Sequence, residues 1–191
     1  MPLLGPDDAL PAPARRVLVA GSSGAGKTTL ATAVAAALGL PHVELDALFH
    51  GPGWVPRPSF RSDVERLAAA DHWVTEWQYD AVRDLLASRA ELLVWLDLPR
   101  TVVVRQVARR TVLRRLQRRE LWNGNREAAL RTVLTDPEHV VRWAWTTHAH
   151  TAPRVRALHD RRPELPVVRL RSRREVDRWL AGPLVRASRC A

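Results

Sequence analysis

Gly21-Ser22-Ser23-Gly24-Ala25-Gly26-Lys27-Thr28 is the stretch whose residue types and spacing most clearly imply chemistry. It follows G-x-x-x-x-G-K-[ST], in which glycines let successive backbone N–H groups close round phosphate oxygens. Gly21 through Thr28, with Thr29, are the expected triphosphate-binding residues. Lys27 supplies a point charge to the β- and γ-phosphates, and Thr28 offers a hydroxyl to Mg²⁺. An ordinary strand-to-helix turn rich in small residues is the alternative. Against it stands one count: Lys27 is the only lysine among thirty basic residues. A compositional drift to arginine has spared this position, where a planar guanidinium does not replace a compact ammonium.

Three carboxylates follow short apolar runs: Asp46, Glu76 and Asp97. In open parallel sheets, ligands bind outside the carboxyl ends of the strands, so these acids are expected near the phosphate loop. Asp46 is read as the group that orients or deprotonates an acceptor hydroxyl, with a helix cap as the alternative. Glu76 is read as a metal-supporting and substrate-side carboxylate, with an arginine pair as the alternative. Asp97 fits a Walker B pattern superficially and a helix-start turn equally well. Trp54, in a Pro/Gly loop, either stacks on a flat ligand or anchors the loop; Tyr79, after Glu76, is placed with the acceptor. His148 and His150 are given no role.

Ten arginines stand between Arg100 and Arg131 against Glu120 and Glu127, so this stretch carries +8 of a formal +10. A phosphorylated or polyanionic partner is expected there. Arg105 and Arg109, four apart on one helix face, and Arg126, beside the Asn123-Gly124-Asn125 turn, are the arginines expected to act catalytically. A solvated cationic face is the alternative for most of the ten.

These groups must be positioned by elements the pattern defines. Short apolar runs at Arg16–Ala20, His42–Leu45, Trp73–Thr75, Leu92–Leu96 and Pro166–Leu170 read as strands. Amphipathic stretches at 28–38, 59–70, 80–88, 99–119 and 127–148 read as helices, and Ser172-Arg173-Arg174-Glu175 as a capping box. The alternation predicts a three-layer α/β domain over residues 15–191, with a parallel sheet covered on both faces. Residues 1–14 hold four prolines and read as a loose leader. One cysteine excludes an internal disulfide. No apolar run reaches the roughly 18–20 residues needed to span a bilayer, and the N-terminus lacks signal-peptide features. A cytoplasmic protein without a membrane partner is expected.

With these residues placed, the chain resembles the small P-loop kinases of the adenylate kinase and shikimate/gluconate kinase group. It is most similar to a bacterial FlaR-like branch, the "DNA topology modulation protein" or adenylate-kinase-like ATPases. The resemblance rests on the phosphate loop, Leu45–Phe49 followed by Pro52-Gly53-Trp54, Trp73–Glu76, and Leu96-Asp97-Leu98-Pro99 leading to Arg105 and Arg109. It implies a five-stranded parallel sheet of order 2-3-1-4-5, an acceptor-binding segment at 50–70, and an Arg-rich lid at 109–126. It also implies ATP with Mg²⁺ as donor. Where the branch carries Asp-Gly-Asn-Tyr, this chain has Glu76-Trp77-Gln78-Tyr79, so a different acceptor pocket is expected. The resulting expectation is an ATP-dependent nucleotide or small-molecule kinase with an unidentified acceptor. A nucleic-acid-associated ATPase and a nucleotide-binding protein without transfer activity are the rivals.

Overall fold

A computed structural model describes residues 3–116 and 140–188. The elements are β1 (Leu3–Leu4), β2 (Arg16–Gly21), α1 (Lys27–Leu38), β3 (His42–Val43), α2 (Leu45–Phe49), α3 (Phe60–Ala69), β4 (Trp73–Glu76) and α4 (Asp80–Arg89). They continue as β5 (Leu92–Leu96), α5 (Arg100–Leu116), α6 (Val140–Arg161), β6 (Val167–Leu170), α7 (Arg173–Trp179) and α8 (Val185–Ser188).

Period-two alternation in the strands divides the core. Val17, Val19, Val94 and Leu96 face one side, where they pack with Leu30 and Val34 of α1, Val103 and Val107 of α5, and Trp179. Leu18, Ala20, Leu93 and Trp95 face the other, with Phe60 and Val64 of α3, Val82 and Leu86 of α4, and Leu158 of α6. Both faces of the sheet are thus covered, as parallel strands require. α1 stops at Gly39, whose left-handed backbone (φ 66°) closes the helix. α7 starts on the expected capping box: Glu175 N–H donates to Ser172 Oγ (3.2 Å), and the Glu175 carboxylate accepts from Arg171 N–H (2.7 Å).

The sheet corrects the expected five strands in order 2-3-1-4-5. It has six parallel strands in the order β1-β6-β5-β2-β4-β3. The sixth comes from Leu3 and Leu4, in register with Val167 and Val168 of β6. Two residues flanked by prolines leave no alternation to read, while the otherwise unpaired edge of β6 offers a row of hydrogen-bonding groups to any nearby extended segment.

A second correction bears on the site. The run His42–Leu45 is a strand only at His42–Val43, and α2 begins at Leu45. Leu45 is fully buried, and its N–H lies 3.4 Å from Glu76 Oε2. Asp46 therefore sits in the first turn of a short helix rather than at a strand end.

Candidate active site

The phosphate loop joins the end of β2 to α1. Gly24 (φ 81°) and Gly26 (φ 97°) both take left-handed backbone, which turns the chain sharply at the head of α1. Lys27 Nζ donates to the Ser22 carbonyl at 3.3 Å. Burial lowers the Lys27 pKa; Asp46 and Glu76 oppose that shift, and Arg110 adds to it. The loop thus holds a partly buried ammonium beside a second cation, a setting that a triphosphate would complete.

Gly24 also has no room for a side chain. A Cβ built there would lie 1.9 Å from Val107 Cγ2, because α5 packs directly on the loop. Gly24→Ala is therefore expected to cost roughly 2–4 kcal/mol, combining overpacking with backbone strain. Urea melts and MgATP titration check this: a loss of unfolding free energy under a few tenths of a kcal/mol would show that α5 does not clamp the loop.

Glu76, at the end of β4, is 2% exposed. Burial alone would raise its pKa. Hydrogen bonds from His42 and Thr28 more than offset that, so its pKa falls below the usual glutamate value. Thr32 Oγ1 lies 3.2 Å from His42 Nδ1, and His42 Nε2 lies 3.4 Å from Glu76 Oε1, so the carboxylate is tied to α1 through two side chains.

Asp46 lies beside this pair. Gln78 Nε2 donates to Asp46 Oδ1 at 2.8 Å and the Tyr79 hydroxyl donates to the same oxygen at 2.5 Å. Burial, then the Asp46 charge, push the Tyr79 pKa far above the usual phenol range, so the hydroxyl stays protonated as a donor. Tyr79 stacks on Phe49 (4.4 Å between centroids) and meets Phe60 edge-on. Trp54, 39% exposed, meets the His50 ring edge-on at 5.0 Å.

The fold thus gathers Lys27, Thr28, Asp46, Glu76 and Tyr79 of the expected set, with Trp54 one ring further out. Arg105 and Arg109 are exposed, on the side of α5 opposite Val103 and Val107. Of the expected lid at 109–126, residues 109–116 continue α5, while 117–126, Arg126 among them, lie outside the described residues. Asp97 is held by Arg169, whose Nε donates to Oδ2 at 2.7 Å and whose guanidinium lies over Trp95. That pairing ties Asp97 to β6, a partner that neither the Walker B pattern nor the helix-start turn specified. Trp77, grouped in sequence with the acceptor residues, turns inward instead, and its indole N–H donates to the Arg83 carbonyl.

Three residues near the site were not singled out by sequence: His42, His50 and Arg110. For Arg110 a signal existed. Val103 and Val107 mark the inward stripe of α5, and the residue three beyond Val107 stays near that face, whereas Arg105 and Arg109 do not. A cleft of about 180 Å³ adjoins the loop, bordered by Gly26, Thr29, Leu98, Gln106 and Arg173.

Among the described residues no cluster of three His, Cys, Asp or Glu side chains forms a metal cage. The Thr28 hydroxyl, which acts on the Glu76 carboxylate, makes with it a small set of hard oxygen donors next to the loop. That fits Mg²⁺, which is held by one or two protein oxygens together with phosphate. No described helix is long and apolar enough to cross a membrane.

No family model and no curated protein matches this chain. Among solved structures it is similar to a gluconokinase from Sinorhizobium meliloti 1021, at 22% identity over 96% of this chain and 97% of that one, TM-score 0.53. A shikimate kinase from Bacteroides thetaiotaomicron matches at 18% identity over 88% and 95% of the two chains, TM-score 0.43. The first likeness shows that the chain shares the fold of that solved structure, and it carries no more than the fold.

Proposed function

We propose that the protein is an ATP-dependent phosphotransferase that passes the γ-phosphoryl group to a hydroxyl of a small molecule. The observation that carries this reading is the Asp46 carboxylate, held by Gln78 and Tyr79 beside the phosphate-loop lysine. A protein that only bound nucleotide would have no use for an oriented carboxylate there.

Residues Gly21–Thr29 hold the triphosphate, and the cleft beside Gly26 and Arg173 receives the base. Thr28 and Glu76 would hold Mg²⁺, which when bound supplies charge neutralisation to the triphosphate. Among the described residues both hydrogen bonds to the Asp46 side chain fall on Oδ1, and this reading gives Oδ2 to the acceptor hydroxyl. As the acceptor oxygen bonds to the γ-phosphorus, the β–γ bridging bond breaks, ADP departs, and the hydroxyl proton passes to Asp46. Lys27 neutralises charge on the migrating group. Arg105, Arg109 and Arg126 are the cations this reading assigns to a closing lid, with Trp54 and Tyr79 flanking the acceptor. The FlaR-like branch is the finer grouping that Leu45–Phe49 with Pro52-Gly53-Trp54 favours.

The test is ADP release from MgATP in the presence of nucleosides, nucleotides, sugars and hydroxy acids. One class is expected to stimulate release at least about tenfold over water. Binding of MgATP with no stimulation by any class would favour a non-transferring protein instead.

A further inference from the structure

Among the described residues, only two non-glycine side chains sit on left-handed backbone: Trp54 (φ 63°) and Tyr79 (φ 61°). Such a conformation costs on the order of 1–3 kcal/mol and persists only where the surroundings enforce it. The two lie 25 positions apart in sequence, on different loops, yet both converge on one residue. The Trp54 ring packs edge-on against the His50 ring, and the Tyr79 hydroxyl lies 3.3 Å from His50 Nε2. His50 itself is fixed by backbone: its N–H donates to the Asp46 carbonyl at 3.0 Å, and it bridges Pro56 across the Trp54 loop.

The proton inventory gives this contact a direction. The Tyr79 hydroxyl has one hydrogen, and at 2.5 Å it goes to Asp46. Its oxygen can then only accept from His50, so His50 carries its hydrogen on Nε2. The result is a one-way chain, His50 Nε2–H to Tyr79 Oη–H to Asp46 Oδ1, with Gln78 as a second donor to the same oxygen.

We propose that His50 is a positioning residue: through Tyr79 it fixes the rotamer of the Asp46 carboxylate, and the Trp54 loop fixes His50 in turn. This rests on the reading that Asp46 faces the acceptor. It gives the strained Trp54 loop a task, because an acceptor that presses on Trp54 also sets the carboxylate that takes its proton.

Tyr79 is the only tyrosine in the chain, so its hydroxyl can be watched without interference. The full-length protein labelled at tyrosine Cζ gives one carbon resonance from this ring. His50→Leu is expected to shift it, and His50→Gln, whose amide nitrogen stands where Nε2 was, is expected to restore it. MgATP turnover with water as acceptor supplies the second readout. His50→Leu is expected to lower kcat about tenfold with the KM for MgATP unchanged, and His50→Gln to recover most of that loss. In a Tyr79→Phe background His50→Leu is expected to add less than about twofold, since the chain is already cut. An unmoved Cζ resonance in folded His50→Leu overturns the proposal, and so does an undiminished effect of His50→Leu in the Tyr79→Phe background. Failure of the phosphotransferase reading would show differently, as an Asp46→Asn variant that keeps full turnover, and the Cζ resonance does not depend on that result.

Discussion

Lys27→Ala is expected to lower MgATP turnover at least about a hundredfold while the protein melts no lower than the parent chain. The first half follows from the position of the ammonium in the loop. Removing one preorganised charge from a site where negative charge migrates costs about 2.7–4 kcal/mol of barrier, on the order of 10²–10³ in rate. The second half follows from the burial and charge around the Lys27 ammonium. Burial, the largest influence on Lys27, lowers its pKa, and Arg110 acts in the same direction. A group whose folded pKa lies below its unfolded value destabilises the fold while it remains protonated, and that penalty holds through neutral pH. Deleting the amine removes the penalty together with the attraction to Asp46 and Glu76, which is the smaller influence. Thermal melts with and without MgATP separate the two effects: the variant keeps its melting temperature and loses most of the rise that MgATP gives the parent. A variant that unfolds, or one that turns over ATP undiminished, would contradict this account of the loop.

The strand, glycine loop and helix proposed to hold the donor were legible in sequence because they are local. Eight consecutive residues specify the phosphate loop, and the strand and helix on either side are its immediate neighbours. The acceptor half is assembled from β4, α2 and the loop after it, and its geometry depends on contacts that sequence spacing does not record. Asp46 and Tyr79 were singled out separately, yet the bond between them joins positions 33 apart. His50 looked like one of seven histidines, and only the two strained loops that meet on it mark it out. Leu3 and Leu4 show the same limit for the fold, since an edge strand of two residues exists only because its partner is already in place. Arg105 and Arg109 were grouped correctly on one face by their spacing, but spacing alone does not say which face turns inward. That was decided by Val103 and Val107, whose packing on Gly24 brings Arg110 rather than its neighbours near Lys27.

Asp46→Asn is the second large effect. Asparagine keeps an oxygen where Oδ1 accepts from Gln78 and Tyr79, so the packing and the hydrogen bonds that hold the side chain survive. What is lost is the proton acceptor at Oδ2. General-base assistance contributes about 10²–10⁴ in rate, so phosphoryl transfer falls by that factor while MgATP binding, set by Gly21–Thr29, stays within about twofold. The most direct measurement is transfer of labelled γ-phosphate from MgATP to the acceptor that stimulates ADP release, compared between the parent chain and Asp46→Asn at equal nucleotide occupancy. The account predicts transfer by the parent and a loss of at least about a hundredfold in the variant. Equal transfer by the two proteins would contradict it.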